Sequence, residues 1–456
     1  MKKELFDHEI KLLKNTFRRL LRRHARTNLI KLLEKTHPAD LALVFRQFNE
    51  DEQDILFGLM RPEEHTGEFL SELDQSITSR ILSEEEPHRL ADLLREISPN
   101  DQADLLSLLE ENQSEAILNL LRVDEKEELE EIMAYPEDSA GSLMATDVFI
   151  LHMDIAARDA ISTIQEQKAA EMVFYLYVAD DDNSLIGVVS LRDLVTTPGS
   201  TQLKDIMSKN VHTVRPDTDQ EEVARIVSQY NYLAVPVVDE DGVLLGIVTV
   251  DDVVDVIREE ATEDFLQMAG AGKDREILLK SSWENARTRL PWLLASWIGG
   301  ILAVAIIGVF EDVLKSTIAL AAFIPVIIGM GGNIGTQSST IIVRGLATGR
   351  VDIENMAKLL FKEIRVGLIL GILYGLMLGL FAVARFLDAS PMLGVVVGSS
   401  ICVSMLIATT IGACVPLLLH KLDIDPAVAT GPFVTTSIDI LGVSLYFLIA
   451  SFFLVI

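Results

Sequence analysis

The sequence predicts a multidomain chain: an all-α solenoid N-domain, an α/β tandem pair of repeats, a connecting helix and a five-helix α transmembrane domain. Three observations predict it. The chain has 456 residues, more than one core holds. Its hydrophobic content is 49% and its mean hydropathy +0.31, yet its formal charge is −29. That conflict resolves on dividing the chain near Pro291: from there nine acids face eight bases, leaving −28 of the charge on residues 1–290. The third observation is a pair of internal echoes, one helical and one α/β. An acidic excess of this size argues against nucleic acid as a partner and for cations.

Residues 1–133 carry apolar residues at three- and four-residue spacing and are expected to be helical throughout. His37-Pro-Ala-Asp40-Leu is echoed by Ser98-Pro-Asn-Asp101-Gln, and each reads as a helix start. A stack of short helix pairs follows, an α-solenoid. The stripe Arg18, Arg19, Arg22, Arg23 and Arg26 reads as a solvated helix face. The N-terminus has no apolar h-region, so no cleaved secretory signal is expected.

A second repeat fills 134–200 and 201–258. Val178 to Leu194 matches Val238 to Val253: two short apolar strands around an acidic turn, then a helix opening with Ser190-x-x-Asp193 or Thr249-x-x-Asp252. Upstream, Met144 and Met207 mark equivalent positions. The pair resembles tandem CBS (cystathionine β-synthase) domains, a family that binds adenine nucleotides between its repeats. Tyr175, Arg192, Asp193 and Tyr232 would fall in that cleft, with ATP as the ligand.

A connecting helix spans 259–290. Its approach, from Thr249 to Asp264, read as a helix, puts Asp252, Asp255, Glu259 or Glu260, and Glu263 on one face, where like charges repel by a few tenths of a kcal/mol per pair. This is either a solvated acidic helix or a surface that Mg²⁺ would draw against other acids. It runs into an amphipathic stretch, 273–290, at the membrane. A cation bridging it to Asp425, in the linker before the last span, would block a pore mouth there.

The membrane domain, 291–456, has apolar stretches near 291–310, 317–346, 356–386, 392–420 and 431–456, each long enough for a core of roughly 30 Å. Basic residues collect in alternate linkers, which places the N-terminal half in the cytosol and the C-terminus outside. Gly367, Gly371, Gly375 and Gly379 give one helix a bare face for close packing. Cys402 and Cys414 read as small core residues, with no disulfide or zinc site implied.

Two polar features lie at membrane depth. The second stretch contains Gly331-Gly332-Asn333-Ile-Gly335-Thr-Gln337, which suits backbone that is buried or lines a wet path. The last contains Asp439, expected to be the only acid well inside any span. Counting about 1.5 Å per residue puts Asp439 about 12 Å and Gly331 about 9 Å from the cytosolic side. The two features meet at one level. An intramembrane Asp is either protonated and hydrogen-bonded across helices or on an ion path. No base shares its depth, which favours a cation, and Mg²⁺ binds through one or two carboxylates while keeping several waters.

Taken together, the chain resembles the MgtE family of magnesium channels. The motifs that carry this are Tyr135-Pro-Glu-Asp138-Ser-Ala-Gly141, Asp219-Gln-Glu221-Glu222, Val248-Thr-Val-Asp251-Asp252, Glu260-Ala-Thr-Glu263-Asp264, Gly331-Gly332-Asn333, Asp425-Pro-Ala and Ser437-x-Asp439. The resemblance implies a homodimer in the inner (plasma) membrane, passing Mg²⁺ into the cytosol along its two-fold axis. Asp439 would hold the hydrated ion, with Gly331, Gly332 and Asn333 nearby. Asp219, Glu221, Asp252, Asp255, Glu260, Glu263, Asp264 and Asp425 would be sensing acids that close the channel on binding Mg²⁺, joined by Glu68 and Asp104 in the N-domain. Asn100 and Asn231 stand where acids are expected. The rivals are a coupled exchanger, a channel for Co²⁺, Mn²⁺ or Ni²⁺, and a non-conducting, membrane-anchored nucleotide sensor. An enzyme is not expected: there is no P-loop, no Cys/His metal cluster and no Ser-His-Asp arrangement.

Overall fold

The computed structural model describes residues 2–61, 64–166, 174–274, 277, 280–351, 356–387, 390–422, 424–429 and 431–454. The chain divides into two compact units, Met1–Ile257 and Arg258–Ile456.

The first unit opens with ten helices among the described residues: α1 (Lys2–Arg22), α2 (Arg26–Leu33), α3 (Pro38–Phe45), α4 (Glu50–Phe57), α5 (Glu64–Ser71), α6 (Gln75–Glu84), α7 (Pro87–Leu94), α8 (Pro99–Ser107), α9 (Glu111–Leu118) and α10 (Val123–Ile132). Most have eight to ten residues, too few to be stable alone in water. They are held by stacking around one continuous apolar core that includes Phe17, Phe45, Phe57 and Phe69, all at most 1% exposed. Phe45 and Phe69 meet edge to face with ring centroids 5.0 Å apart. The echoed starts fall where expected, with His37 capping α3 and Ser98 preceding Pro99 of α8. Arg18 leaves the basic stripe to donate to the Gln47 carbonyl, while Arg19, Arg22, Arg23 and Arg26 stay exposed.

The α/β repeats follow: α11 (Ala140–Leu143), β1 (Ile150–His152), α12 (Ala157–Glu166), β2 (Tyr175–Ala179), β3 (Leu185–Ser190), α13 (Leu191–Thr196), α14 (Leu203–Ile206), α15 (Gln220–Tyr230), β4 (Ala234–Val238) and β5 (Leu244–Thr249). β2 pairs antiparallel with β3, and β4 with β5, each pair irregular at the same place, Val178/Ala179 and Val237/Val238. β1 runs parallel to β2, and a single bridge from Val214 to Val237 is its counterpart in the second repeat. The methionine markers now have a cause. A Cβ on Gly187 would lie 2.6 Å from the Met207 sulfur, and one on Gly246 would lie 3.0 Å from the Met144 sulfur. Each repeat thus seats the other's leading methionine on a bare strand position.

Helix α16 (Val250–Met268) leaves β5 directly, so the acidic face read from the sequence belongs to one uninterrupted helix. The remaining helices are α17 (Ser282–Val309), α18 (Glu311–Ser316), a 3-10 turn (Ile318–Phe323), α19 (Ile324–Ala347), α20 (Met356–Arg385), α21 (Met392–Lys421), a 3-10 turn (Pro426–Ala429) and α22 (Pro432–Leu454). Among the described residues, five helical stretches are long and apolar enough to cross a membrane: Ser282–Val309, Ile318–Ala347, Met356–Arg385, Met392–Lys421 and Pro432–Leu454. The connecting helix expected over 259–290 is not one helix: α16 ends at Met268, and 282–290 is already part of the helix of the first span. α17 begins at a Ser281/Glu284 capping box and passes through Pro291, losing one internal hydrogen bond there. Residues 275, 276, 278 and 279 of that stretch lie outside the described residues.

The glycine ladder of α20 meets α21 backbone to backbone. A Cβ on Gly371, Gly375 or Gly379 would lie 2.8, 2.6 or 2.7 Å from a carbonyl oxygen of α21, those of Cys402, Gly398 and Gly394. Glu363, beside Lys362 and Arg365 near the start of α20, is an acid the sequence gives no reason to bury, yet it is 4% exposed and accepts a 2.8 Å hydrogen bond from Ser338 of α19.

Candidate ion path and cation sites

The polar stretch of α19 and the acid of α22 do lie side by side. A Cβ built on Gly332 would sit 3.8 Å from the Asp439 carboxylate, ordinary contact distance. Gly331 abuts Ser404 and Ile438, and a Cβ on Gly335 would collide with Ile438 at 2.1 Å. These glycines let α19 lie directly on α21 and α22. Thr435 and Ser437 return their hydroxyls to the backbone one turn back, so they satisfy themselves within α22. Asp439 is partly exposed, and none of the hydrogen bonds or ion pairs seen among the described residues involves it. Asn333 and Gln337, one turn apart, are exposed on α19.

In the first unit, Asp252 accepts from the Thr249 hydroxyl and backbone N–H at the start of α16. Burial pushes Asp252 up to about 7; the Thr249 hydrogen bond opposes this, and the charges of Asp251 and Asp101 add to it. Asp101 of α8 is itself raised, first by burial, against hydrogen bonds from Ser98 and Ser71. Asp101 was not singled out in the sequence, where it was one acid of a helix start; only the fold brings it to Asp251 and Asp252. Glu68 and Asp104 are exposed on α5 and α8, and Asp255 is exposed on α16. Asp219 caps α15, accepting from the Glu221 N–H at 2.8 Å, and both side chains are exposed.

The two asparagines have structural reasons for not being acids. Asn100 is 7% exposed and points its amide nitrogen at the Leu143 carbonyl, 3.5 Å away, where a carboxylate would meet another acceptor. Asn231 ends α15 at φ 55°, a left-handed position that favours Asn after Gly.

In the second unit, Glu263 and Asp425 are joined through Gln267, whose amide nitrogen donates to Glu263 at 3.0 Å and to Asp425 at 2.8 Å. The other Asp425 oxygen accepts from the Ala427 N–H at 2.8 Å. Burial pushes neighbouring Asp264 up to about 6, with the Asp425 charge next in size. Glu260 is partly buried on the preceding turn. Gly270, at φ 69°, turns the chain after α16 and approaches Pro432 at the start of α22. Among the described residues no three Asp, Glu, His or Cys side chains converge as a ligand set. Pairs of carboxylates suit an ion that keeps most of its water.

Between the α/β repeats, Tyr232 shares a 2.6 Å hydrogen bond with His212 and stacks on Tyr230 with centroids 5.4 Å apart. Tyr175 lies close enough for its charge to act on Tyr232. Asp193 is tied to Ser190 at the start of α13, and Arg192 is exposed beside it. His212 and Tyr230 were not read from the sequence; an aromatic cluster assembled from a loop and a helix end leaves no local pattern.

The profile of the MgtE divalent cation transporter family matches residues 324–449, that of the MgtE intracellular N domain residues 36–138, and that of the CBS domain residues 140–198 and 203–259. The magnesium transporter MgtE of Bacillus subtilis is 39% identical over 324 residues, covering 71% of each chain. The chain belongs to the MgtE family of magnesium transporters. MgtE of Thermus thermophilus is 38% identical over 327 residues, 71% of this chain and 72% of that one. A crystal structure of the soluble part of a magnesium transporter is 31% identical, with a TM-score of 0.50 over 55% of this chain and 99% of that one. The cytosolic domain of the Mg²⁺ channel MgtE, crystallised with ATP, is 34% identical, with a TM-score of 0.51 over 53% of this chain and 99% of that one. MgtE membership accounts for the tandem CBS repeats and the apolar helices, and Mg²⁺ transport, a non-enzymatic activity, comes with it.

Proposed function

We propose that the chain is a Mg²⁺-selective channel of the plasma membrane that admits Mg²⁺ to the cytosol along a two-fold axis between two copies and is closed by Mg²⁺ on its cytosolic acids. The observation that carries this is the Asp439 carboxylate: at membrane depth, partly exposed, beside bare Gly332, with no hydrogen bond to it seen among the described residues. A protonated Asp retained for packing would be hydrogen-bonded and buried. Exposed Asn333 and Gln337 support a second copy, because a polar stripe at this depth is costly against lipid. Basic linkers at alternate ends support a cytosolic N-terminal half and an external C-terminus. Closure is assigned to Asp219, Glu221, Asp252, Asp255, Glu260, Glu263, Asp264 and Asp425, with Asp101, Asp104 and Glu68 from the N-domain. Carboxylate oxygens are the donors a hard divalent cation takes. Patch recording with cytosolic Mg²⁺ varied tests conduction and closure together. Current that persists unchanged as cytosolic Mg²⁺ rises removes the closing role, and transport that needs an opposing Na⁺ or H⁺ gradient replaces the channel with an exchanger.

The raised carboxyls give a pH dependence. Asp252, at about 7, and Asp264, at about 6, sit above the ordinary Asp value. The folded form therefore binds protons more tightly than the unfolded chain, and its stability falls as pH rises from about 4 through 7. Without divalent cations, the chain in detergent is expected to melt at a lower temperature at pH 8 than at pH 6. Mg²⁺ raises the melting temperature more at pH 8, where it has no proton to displace, and half-closing Mg²⁺ is higher at pH 6. A Mg²⁺ response identical at both pH values removes these two groups from sensing.

ATP is assigned to the cleft between the CBS repeats, with Tyr175 and Tyr232 offering rings and Arg192 a cation. Calorimetric titration with ATP is expected to show binding that Tyr232→Ala and Arg192→Ala each weaken by about tenfold. Equal affinity in both variants places the nucleotide elsewhere.

A further inference from the structure

We propose that Lys273 is a built-in counter-cation of the Glu263–Asp425 pair, an ammonium that holds the place of the divalent cation and must be displaced when that cation binds. The proposal rests on the reading of this pair as a closing site. Lys273 Nζ lies 2.8 Å from Glu263 and 3.9 Å from Asp425. The Lys273 side chain is 66% exposed, against 15% for Glu263 and 35% for Asp425, so the ammonium can leave for water while the carboxylates stay. It directly follows a short turn made by Gly270 and Gly272, both at positive φ, outside any helix.

Gln267 supplies the independent sign that something else binds here. Its side chain is 1% exposed, its nitrogen bridges both carboxylates, and its Oε1 is buried without a hydrogen-bonding partner. A buried amide oxygen left unpaired is destabilising, because it has given up its water without gaining a donor. The amide nitrogen faces the carboxylates as long as no metal lies between them. With a cation in that place, turning the amide end for end presents the oxygen to it and removes the mismatch. Two carboxylates and an amide carbonyl form an oxygen set of the kind Mg²⁺ accepts. Lys273 therefore sets the Mg²⁺ level at which the site fills: removing the ammonium makes the surroundings of the pair more negative by one charge.

The test compares wild type, Lys273→Met, Lys273→Arg and Asp425→Ala as full-length chains in excised patches, reading the cytosolic Mg²⁺ that half-closes the current. Lys273→Met is expected to lower that concentration by about threefold to fivefold, and Lys273→Arg to leave it within about twofold of wild type. Asp425→Ala is expected to raise it. If Asp425→Ala weakens closure while Lys273→Met leaves the midpoint unchanged or raises it, the displaced-ammonium proposal is overturned and the closing site stands. If Asp425→Ala closes like wild type, the closing site itself is wrong, and the role of Lys273 goes with it. Because Lys273 is exposed, its variants fold.

Discussion

Replacing Asp439 with Asn is expected to stop Mg²⁺ influx into liposomes carrying the full chain, by roughly 100-fold or more. Asn has the size and shape of Asp, so α22 still packs on α19 and α17. Only the charge goes, and with two copies around one path two charges go together. A hundredfold loss corresponds to about 2.7 kcal/mol, modest for removing a carboxylate that faces a divalent ion where water is scarce. Asp439→Glu separates charge from position. Its extra methylene has room, because the space above Gly332 is open to ordinary contact distance, and partial flux is expected. Wild-type influx in the Asn variant, measured with an Mg²⁺-sensitive dye, would end the ion-path assignment. Lost influx with lost folding is separated by checking that the variant elutes as the wild-type species in detergent.

What the sequence made legible follows from which forces have a short range along the chain. Five apolar runs are visible because lipid imposes length and composition on each span by itself. The CBS repeats are visible because the same strand, turn and helix opening occurs twice, at Gly187 and Gly246 among other places. The Gly332–Asp439 encounter was reachable by counting rise per residue from opposite membrane faces. Glu363 was not. Flanked by Lys362 and Arg365, it read as part of a basic cytosolic linker, and only Ser338 on another helix reveals that it is buried. Asn100 reads as a missing acid because the sequence shows residue type and not the carbonyl of Leu143 beside it. Asp101 and Lys273 were hidden in the same way. Each gains its meaning from partners far along the chain, Asp251 and Asp425, and an acid-rich sequence offers too many candidates to choose among.

The α19–α21–α22 contact leads to the second large effect, a loss of both flux and stability in Gly412→Ala. A Cβ at Gly412 would lie 2.3 Å from the Gly335 carbonyl oxygen, 3.1 Å from its carbon and 3.2 Å from its Cα. All three atoms are backbone, so no rotamer relieves the clash and α19 itself must move. Gly335 cannot retreat freely, because Ile438 of α22 stands on its other side. Overpacking of this kind costs about 1–3 kcal/mol, and the displacement falls on the turn that carries Gly331 and Gly332 beside Asp439. Flux is expected to fall at least about tenfold, with a lower melting temperature in detergent. Gly335→Ala meets the end of a flexible Ile438 side chain and is expected to cost less. Gly300→Ala on α17 has nothing within 4 Å of the new methyl and is expected to behave as wild type. The order Gly412, Gly335, Gly300 is the discriminating result, since a general intolerance of alanine in apolar helices predicts equal losses. If Gly412→Ala conducts and melts like Gly300→Ala, close approach at Gly335 is not what holds the path together, and the placement of Gly332 against Asp439 loses its mechanical support.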